Sequence, residues 1–178
     1  MCTLAAVLRG QACPVRNTQQ GSSTPMKITQ AVTPQQIELA RVLFEDYAKE
    51  LAIDLCFQGF AAELSGLPGV YAPPRGRLLL GLDGRDATGC VALLQLDKHI
   101  CEMKRLFVRS GFRGKGIGKL LAQAVVEEAR AVGYQTMRLD TLSHLKAAMQ
   151  LYEALGFARC PAYYETPLLD TVFMELQL

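Results

Sequence analysis

Phe107-Val108-Arg109-Ser110-Gly111-Phe112-Arg113-Gly114-Lys115-Gly116-Ile117-Gly118-Lys119-Leu120-Leu121 is the stretch on which the reading of this chain turns. It leaves an apolar run, passes through a turn holding four glycines, and enters a segment whose apolar residues recur at helical spacing. Glycines let successive backbone N–H groups point outward, and a helix opening at Ile117 adds the positive end of its dipole, so the turn is built to cradle a pyrophosphate. Two familiar phosphate motifs are excluded. A Walker A loop needs Gly-x4-Gly-Lys-Ser/Thr, yet Arg109 stands five positions before Gly114-Lys115, and Leu120 follows Gly118-Lys119. A dinucleotide G-x-G-x-x-G fails because its third glycine would be Lys119 or Leu121. Between Met103 and Val126 lie Lys104, Arg105, Arg109, Arg113, Lys115 and Lys119 with no acidic residue, so the local field is expected to favour a polyanion.

Working outward, Ile117, Leu120, Leu121, Ala124, Val125 and Val132 mark a long amphipathic helix stopped by Gly133. Before the turn, Arg77 to Leu82 and Gly89 to Leu96 form a hairpin about Asp83-Gly84, and Ile100 to Val108 adds a third antiparallel strand. After the helix, Tyr134 to Thr141 alternates as a strand. Leu145, Ala148, Leu151, Tyr152 and Leu155 mark a further helix ending at Gly156, and Val172 to Leu178 closes the chain as a strand. Upstream, Thr33-Pro34-Gln35-Gln36 is a capping box opening a helix with Ile37, Ala40, Phe44, Tyr47 and Leu51 on one face. Phe57, Phe60, Ala61 and Leu64 suggest a shorter one ending near Gly66 and Pro68. The order predicts an α/β fold: a mixed, mostly antiparallel central sheet of about six to seven strands, with about four helices on both faces. A parallel strand pair is expected around Val108 and Met137.

The 178 residues are 50% hydrophobic and 20% charged, a composition that fits one soluble globular domain and excludes collagen, coiled coil and general disorder. Residues 1–25 hold no acidic residue and end in Gly21-Ser22-Ser23-Thr24-Pro25, so they read as a disordered tail or mis-started leader before a single domain over 26–178. A net charge of +2 points to neither nucleic acid nor membrane. The six cysteines are widely spaced, only His99 and His144 could join them, and a metal site is not expected. Several cysteines sit in apolar runs as reduced packing residues, and no run of 18 apolar residues exists, which reads as a cytoplasmic protein with no membrane partner.

R-x-x-G-x-G at Arg113 to Gly118, set between a strand and a helix and joined to Leu151-Tyr152-Glu153-Ala154-Leu155-Gly156-Phe157 downstream, resembles the GNAT family of acyl-CoA N-acyltransferases. The resemblance covers residues 33 to 178. It implies an N-acetyltransferase that passes an acetyl group directly from acetyl-CoA to a primary amine, without a metal or a covalent enzyme intermediate. The pyrophosphate would rest on the N–H groups of Lys115, Gly116, Ile117 and Gly118, with Arg113 and Gly114 opening the turn and Lys119 following it. Leu106, Phe107 and Val108 would pair with pantetheine in a gap between splayed strands, and the amide of Leu106 or Phe107 would polarise the acetyl carbonyl. Tyr152 matches the family's general-acid tyrosine. Glu102, eleven residues before Arg113, matches the basic glutamate of the histone acetyltransferase branch. A base would help, because an ammonium with pKa about 10.4 costs roughly 4.6 kcal/mol to deprotonate at pH 7. The family often has asparagine seven residues before this tyrosine; here Leu145 stands there, leaving Thr141, Ser143 or His144 to replace it.

Each residue also has a plainer reading. Glu102 could pair with Lys104 or a neighbouring strand, Tyr152 could be a half-buried helix residue, and His144 a helix-capping neighbour rather than a relay or CoA contact. Tyr163, Tyr164, Phe57, Phe60 and Tyr71 fit an acceptor pocket or the core equally well. Cys101 or Cys90 as nucleophile is the weaker route. The alternative to an enzyme is a non-catalytic acyl-CoA-binding or nucleic-acid-binding module using the basic turn, with nucleic acid disfavoured. The sequence carries no signature of the amine acceptor or of oligomeric state.

Overall fold

The computed structural model describes residues 26–51 and 59–178. Strand β1 (Lys27–Gln30) leads into helices α1 (Pro34–Leu51) and α2 (Phe60–Ser65). The meander β2 (Arg77–Asp83), β3 (Asp86–Gln95) and β4 (Ile100–Val108) follows. Then come α3 (Ile117–Val132), β5 (Thr136–Leu142), α4 (Lys146–Ala154), β6 (Ala158–Arg159) and β7 (Thr171–Gln177). The strands form one mixed sheet in the order β1-β2-β3-β4-β5-β7-β6, with β4 and β5 parallel and the other pairs antiparallel. Helix α1 starts where its capping box stands: the Thr33 hydroxyl accepts the Gln36 N–H at 3.2 Å, and the Gln36 side chain accepts the Thr33 N–H at 3.0 Å. Gly133 ends α3 in the left-handed conformation, its N–H returning to the last-turn carbonyls.

Strand alternation divides the core into two layers. Leu79, Val91, Leu93, Cys101 and Met103 face α3 and α4, where they meet Leu121, Val125, Ala129 and Tyr152. Leu78, Leu80, Cys90, Ala92 and Phe107 face α1, where Leu43 and Phe44 cover them. Gly89 lets α3 sit close on the sheet, because a side chain there would run into the Phe107 carbonyl and the Leu121 methyl.

Two short edge strands, β1 and β6, escaped the sequence pattern: four and two residues are too few for a period of two to declare itself. The parallel pair differs from the expected one. Met137 lies opposite Cys101, not near Val108, and β4 and β5 are paired only at Ile100↔Thr136, Cys101↔Met137 and Glu102↔Arg138. Beyond Glu102 the strands separate, for a reason found in β4 itself. Phe57 and the tail read into residues 1–25 lie outside the described residues. No helix among the described residues is long and apolar enough to cross a membrane.

Leu121 is fully buried between α3 and the sheet. Leu121→Ala is expected to lower the unfolding free energy by about 2–5 kcal/mol in urea titration, with an unchanged denaturant slope.

Candidate active site

The separation of β4 from β5 begins at a β-bulge. Ala92 lies opposite Lys104 and Cys90 opposite Phe107, so β4 carries one residue more than β3 over this interval. Arg105, with φ 55°, is the only non-glycine residue in the left-handed region among those described. The extra residue puts Lys104 and Arg105 on the same side of the sheet, towards α1 and α2. There Arg105 Nε and Nη2 reach the two oxygens of Glu63 at 3.0 and 2.6 Å, and the guanidinium lies 5.2 Å from the Phe60 ring and 5.6 Å from that of Tyr47. Glu63 also accepts the Tyr71 hydroxyl at 2.5 Å. Tyr71 is therefore core, packed edge-on to Phe44, and only its margin borders the shallow cavity beside α2.

The bulge sets which amides face the gap. Arg109 donates to the Thr88 carbonyl at 2.9 Å, so Arg109 and Phe107, two residues back, turn their N–H groups towards β3. Leu106 and Val108 alternate with them and turn theirs to the edge that β5 has left. Leu106 shares a cavity in this gap with Asp140, Thr141, Leu145 and Tyr152. Beside it runs a groove of about 760 Å³, lined by Leu106, Phe107 and Val108, by Arg113, Gly114, Gly116, Ile117 and Gly118 of the turn, and by His144 to Ala148 with Leu151.

At the far end of the groove the chain turns at Gly114 (φ 75°) and Gly116 (φ 78°), a conformation only glycine adopts without strain. Gly116 caps α3 with no side-chain hydrogen bond, and the first intrahelical bond is made by Leu120 to Gly116. The N–H groups of Ile117, Gly118 and Lys119 are the helix's unused donors, with the dipole behind them. Arg113 borders the groove but is engaged: its Nε bonds the Val108 carbonyl at 2.8 Å, and Nη2 pairs with Glu50. Lys115 is exposed, its amine 5.2 Å from the Phe112 ring, and Lys119 is exposed on α3.

The field expected from the basic cluster is largely cancelled. Arg113 pairs with Glu50 and Arg109 with Asp46 (2.8 Å), both from α1; Arg105 pairs with Glu63 and Lys104 with Glu102 (3.5 Å). The acids lie 42 to 63 residues upstream of the arginines they neutralise, where no local charge count reaches.

Tyr152 stands on α4 at 7% exposure, edge-on to Phe157 at 5.9 Å, and lines the same cavity as Leu106. Burial, helped by Tyr47 and the charge of Asp140, pushes its phenol up, so it keeps its proton at neutral pH. Glu102 is 4% exposed and sits where β4 and β5 are still paired. It accepts the Tyr163 hydroxyl at 2.6 Å, and burial together with the Glu102 charge raises the Tyr163 phenol. Tyr163 and Tyr164 pack edge-on against Phe173, and the buried Tyr164 hydroxyl lies beside Asp140; burial together with that carboxylate raises its phenol.

The cysteines are poor nucleophiles: burial raises the Cys90 thiol well out of the neutral range and pushes Cys101 up to about 12. His144 is exposed and holds Asp170 through Nδ1 at 2.8 Å. Leu145, at the position of the family asparagine, is the N-cap of α4 and makes no side-chain cap. Asp140 and Glu63 escaped sequence reading. A signal for Asp140 was present in Arg138-Leu139-Asp140, where charge alternates with apolar residues along β5 and places both charges on the face of Glu102.

Known proteins agree with this geometry. The sequence matches the acetyltransferase (GNAT) family over residues 38–157. It is 36% identical over 155 residues to an uncharacterized N-acetyltransferase of Schizosaccharomyces pombe, covering 86% of this chain and 95% of the relative. A Streptococcus agalactiae acetyltransferase shares the fold with a TM-score of 0.71 at 22% identity, over 86% of this chain and 98% of that one. YncA of Salmonella typhimurium, solved with its cofactor acetyl-CoA, does so with a TM-score of 0.62 at 21% identity, over 85% and 93%. With the turn motif, the splayed sheet and these relatives in agreement, the chain belongs to the GNAT family of N-acetyltransferases.

Proposed function

We propose that the protein transfers an acetyl group from acetyl-CoA directly to a primary amine in the gap between β4 and β5. The observation that carries this reading is the unpaired edge of β4, where the Leu106 and Val108 amides look into a groove that ends on the glycine turn. A thioester-bearing pantetheine fits such an edge as an added strand, with the pyrophosphate on the N–H groups of the turn and α3. Of the two amides named from sequence, Leu106 is the one facing the gap, and we assign it to the acetyl carbonyl oxygen; Phe107 is turned to β3 and backs the groove.

The chemistry then needs two proton movements. The acceptor ammonium gives one proton to Tyr163, whose own proton passes to Glu102, the carboxylate that accepts the Tyr163 hydroxyl. The amine lone pair attacks the acetyl carbon and the carbon–sulfur bond breaks. The thiolate leaves with the bonding pair and takes the Tyr152 proton, which the second nitrogen-bound proton replaces as the amide forms. One proton per turnover reaches solvent from Glu102. The raised Cys90 and Cys101 thiols argue against an acyl-enzyme. Cys90, Cys101 and Cys160 are free thiols, which suits a reducing, cytoplasmic location. A nucleic-acid module is opposed by the paired state of the basic cluster.

Acetyl-CoA at about a hundredfold over its dissociation constant should stabilise the protein by roughly 2.7 kcal/mol, raising Tm by about 5–10 °C; no rise would remove the cofactor. A rise without thiol release on any amine would leave an acyl-CoA-binding module. Tyr152→Phe should lower kcat by about 10²-fold with little change in the acetyl-CoA KM, and an unchanged kcat under saturating acceptor takes Tyr152 out of the mechanism. Glu102→Gln should lower kcat by about 10- to 100-fold while acetyl-CoA still stabilises the variant, whereas an unchanged kcat assigns the proton to water or another group.

A further inference from the structure

The cavity between β4 and β5 holds a carboxylate that the mechanism above does not use. Asp140 lies on β5 two residues beyond the last paired position, Arg138, so it stands in the opened part of the gap, on the same cavity as Leu106 and Tyr152. Its surroundings are aromatic as well as polar. Tyr47 and Tyr152 line that cavity, and Asp140's charge contributes to the raised phenols of Tyr47, Tyr152, Tyr163 and Tyr164.

The charges on this side of the sheet do not cancel. Arg105 is closed by Glu63, Lys104 faces Glu102, and Arg138 faces Glu175 at 3.4 Å. No ion pair among the described residues includes Asp140. Towards solvent, an opening of about 440 Å³ is bounded by Glu102, Lys104, Arg138, Tyr163, Tyr164 and Glu165, and Glu165 is likewise outside every ion pair there. Around these two openings Lys104, Arg105 and Arg138 are each matched by a carboxylate, and Asp140 and Glu165 stand in no ion pair among the described residues, one inside and one at the mouth. A carboxylate ringed by phenols, in a site with surplus negative charge, suits an ammonium group: the carboxylate supplies the charge and the ring faces a cation–π surface.

Resting on the acetyl-transfer reading above, we propose that Asp140 binds the ammonium group of the acceptor beside the thioester, and that the acceptor is a cationic amine with no carboxylate next to its nitrogen. An α-amino acid would bring its own anion towards Asp140 and Glu102, and the three cations lining the two openings are already paired. The proton then leaves by the Tyr163–Glu102 route already described, so Asp140 serves as anchor and specificity determinant.

The test uses matched acceptors that differ only by a carboxylate: tyramine against tyrosine, histamine against histidine, cadaverine against lysine. Thiol release is followed at saturating acetyl-CoA. The amine of a pair is expected to exceed its amino acid in kcat/KM by about 10-fold or more. Asp140→Asn is expected to cut amine kcat/KM by about 10- to 100-fold, chiefly through KM, and to shrink that preference, while acetyl-CoA still stabilises the variant. Preference for the amino acids, or an Asp140→Asn variant that keeps the amine preference, overturns the proposal. So does a protein that acetyl-CoA stabilises but that acetylates none of the six, which leaves the cofactor assignment standing. Absence of any stabilisation by acetyl-CoA fails the underlying reading instead.

Discussion

The buried ion pair between Arg105 and Glu63 holds the site open. A non-glycine residue at positive φ costs of order 1–3 kcal/mol and persists only where its surroundings over-determine it. Here a bidentate carboxylate and two aromatic rings hold the side chain, while the bulge it creates moves Leu106 and Val108 off the β3 ladder and onto the free edge. Without the bulge, β4 could continue its parallel pairing with β5 past Glu102, and the amides that face the gap would be used within the sheet. The pair also binds α2 to β4, so helix and strand are fastened at one point.

Charge in this molecule is arranged by distance in space. Six basic residues cluster between Met103 and Val126, yet Asp46, Glu50, Glu63 and Glu102 take up four of them. At the turn this leaves Lys115, Lys119, the backbone donors and the α3 dipole without an acidic partner among the described residues. On the opposite side the same economy of pairing leaves Asp140 and Glu165 over.

Much of this could be read from the chain alone, wherever the signal was local. The capping box at Thr33, the helical spacing from Ile117 to Val132 with Gly133 after it, the Ile100–Val108 strand, and the glycines at 114 and 116 each depend on residues within one or two turns. Tyr152 and Glu102 were legible as candidates through motif spacing, although their burial and the Tyr163 partner were not. The short strands β1 and β6 were invisible, because an edge of two to four residues gains its conformation from the partner it pairs with.

The sequence by itself determined the order of the longer elements, the glycine turn and the family, since these follow from backbone preferences and periodic burial along a continuous segment. Only the tertiary structure decided the bulge at Arg105, the point where β4 leaves β5, the neutralisation of the basic cluster by α1 and α2, and the exposure of Asp140 to the gap. Each of those is an interaction between residues tens of positions apart, and its energy depends on separation in space and on burial, neither of which a linear pattern contains.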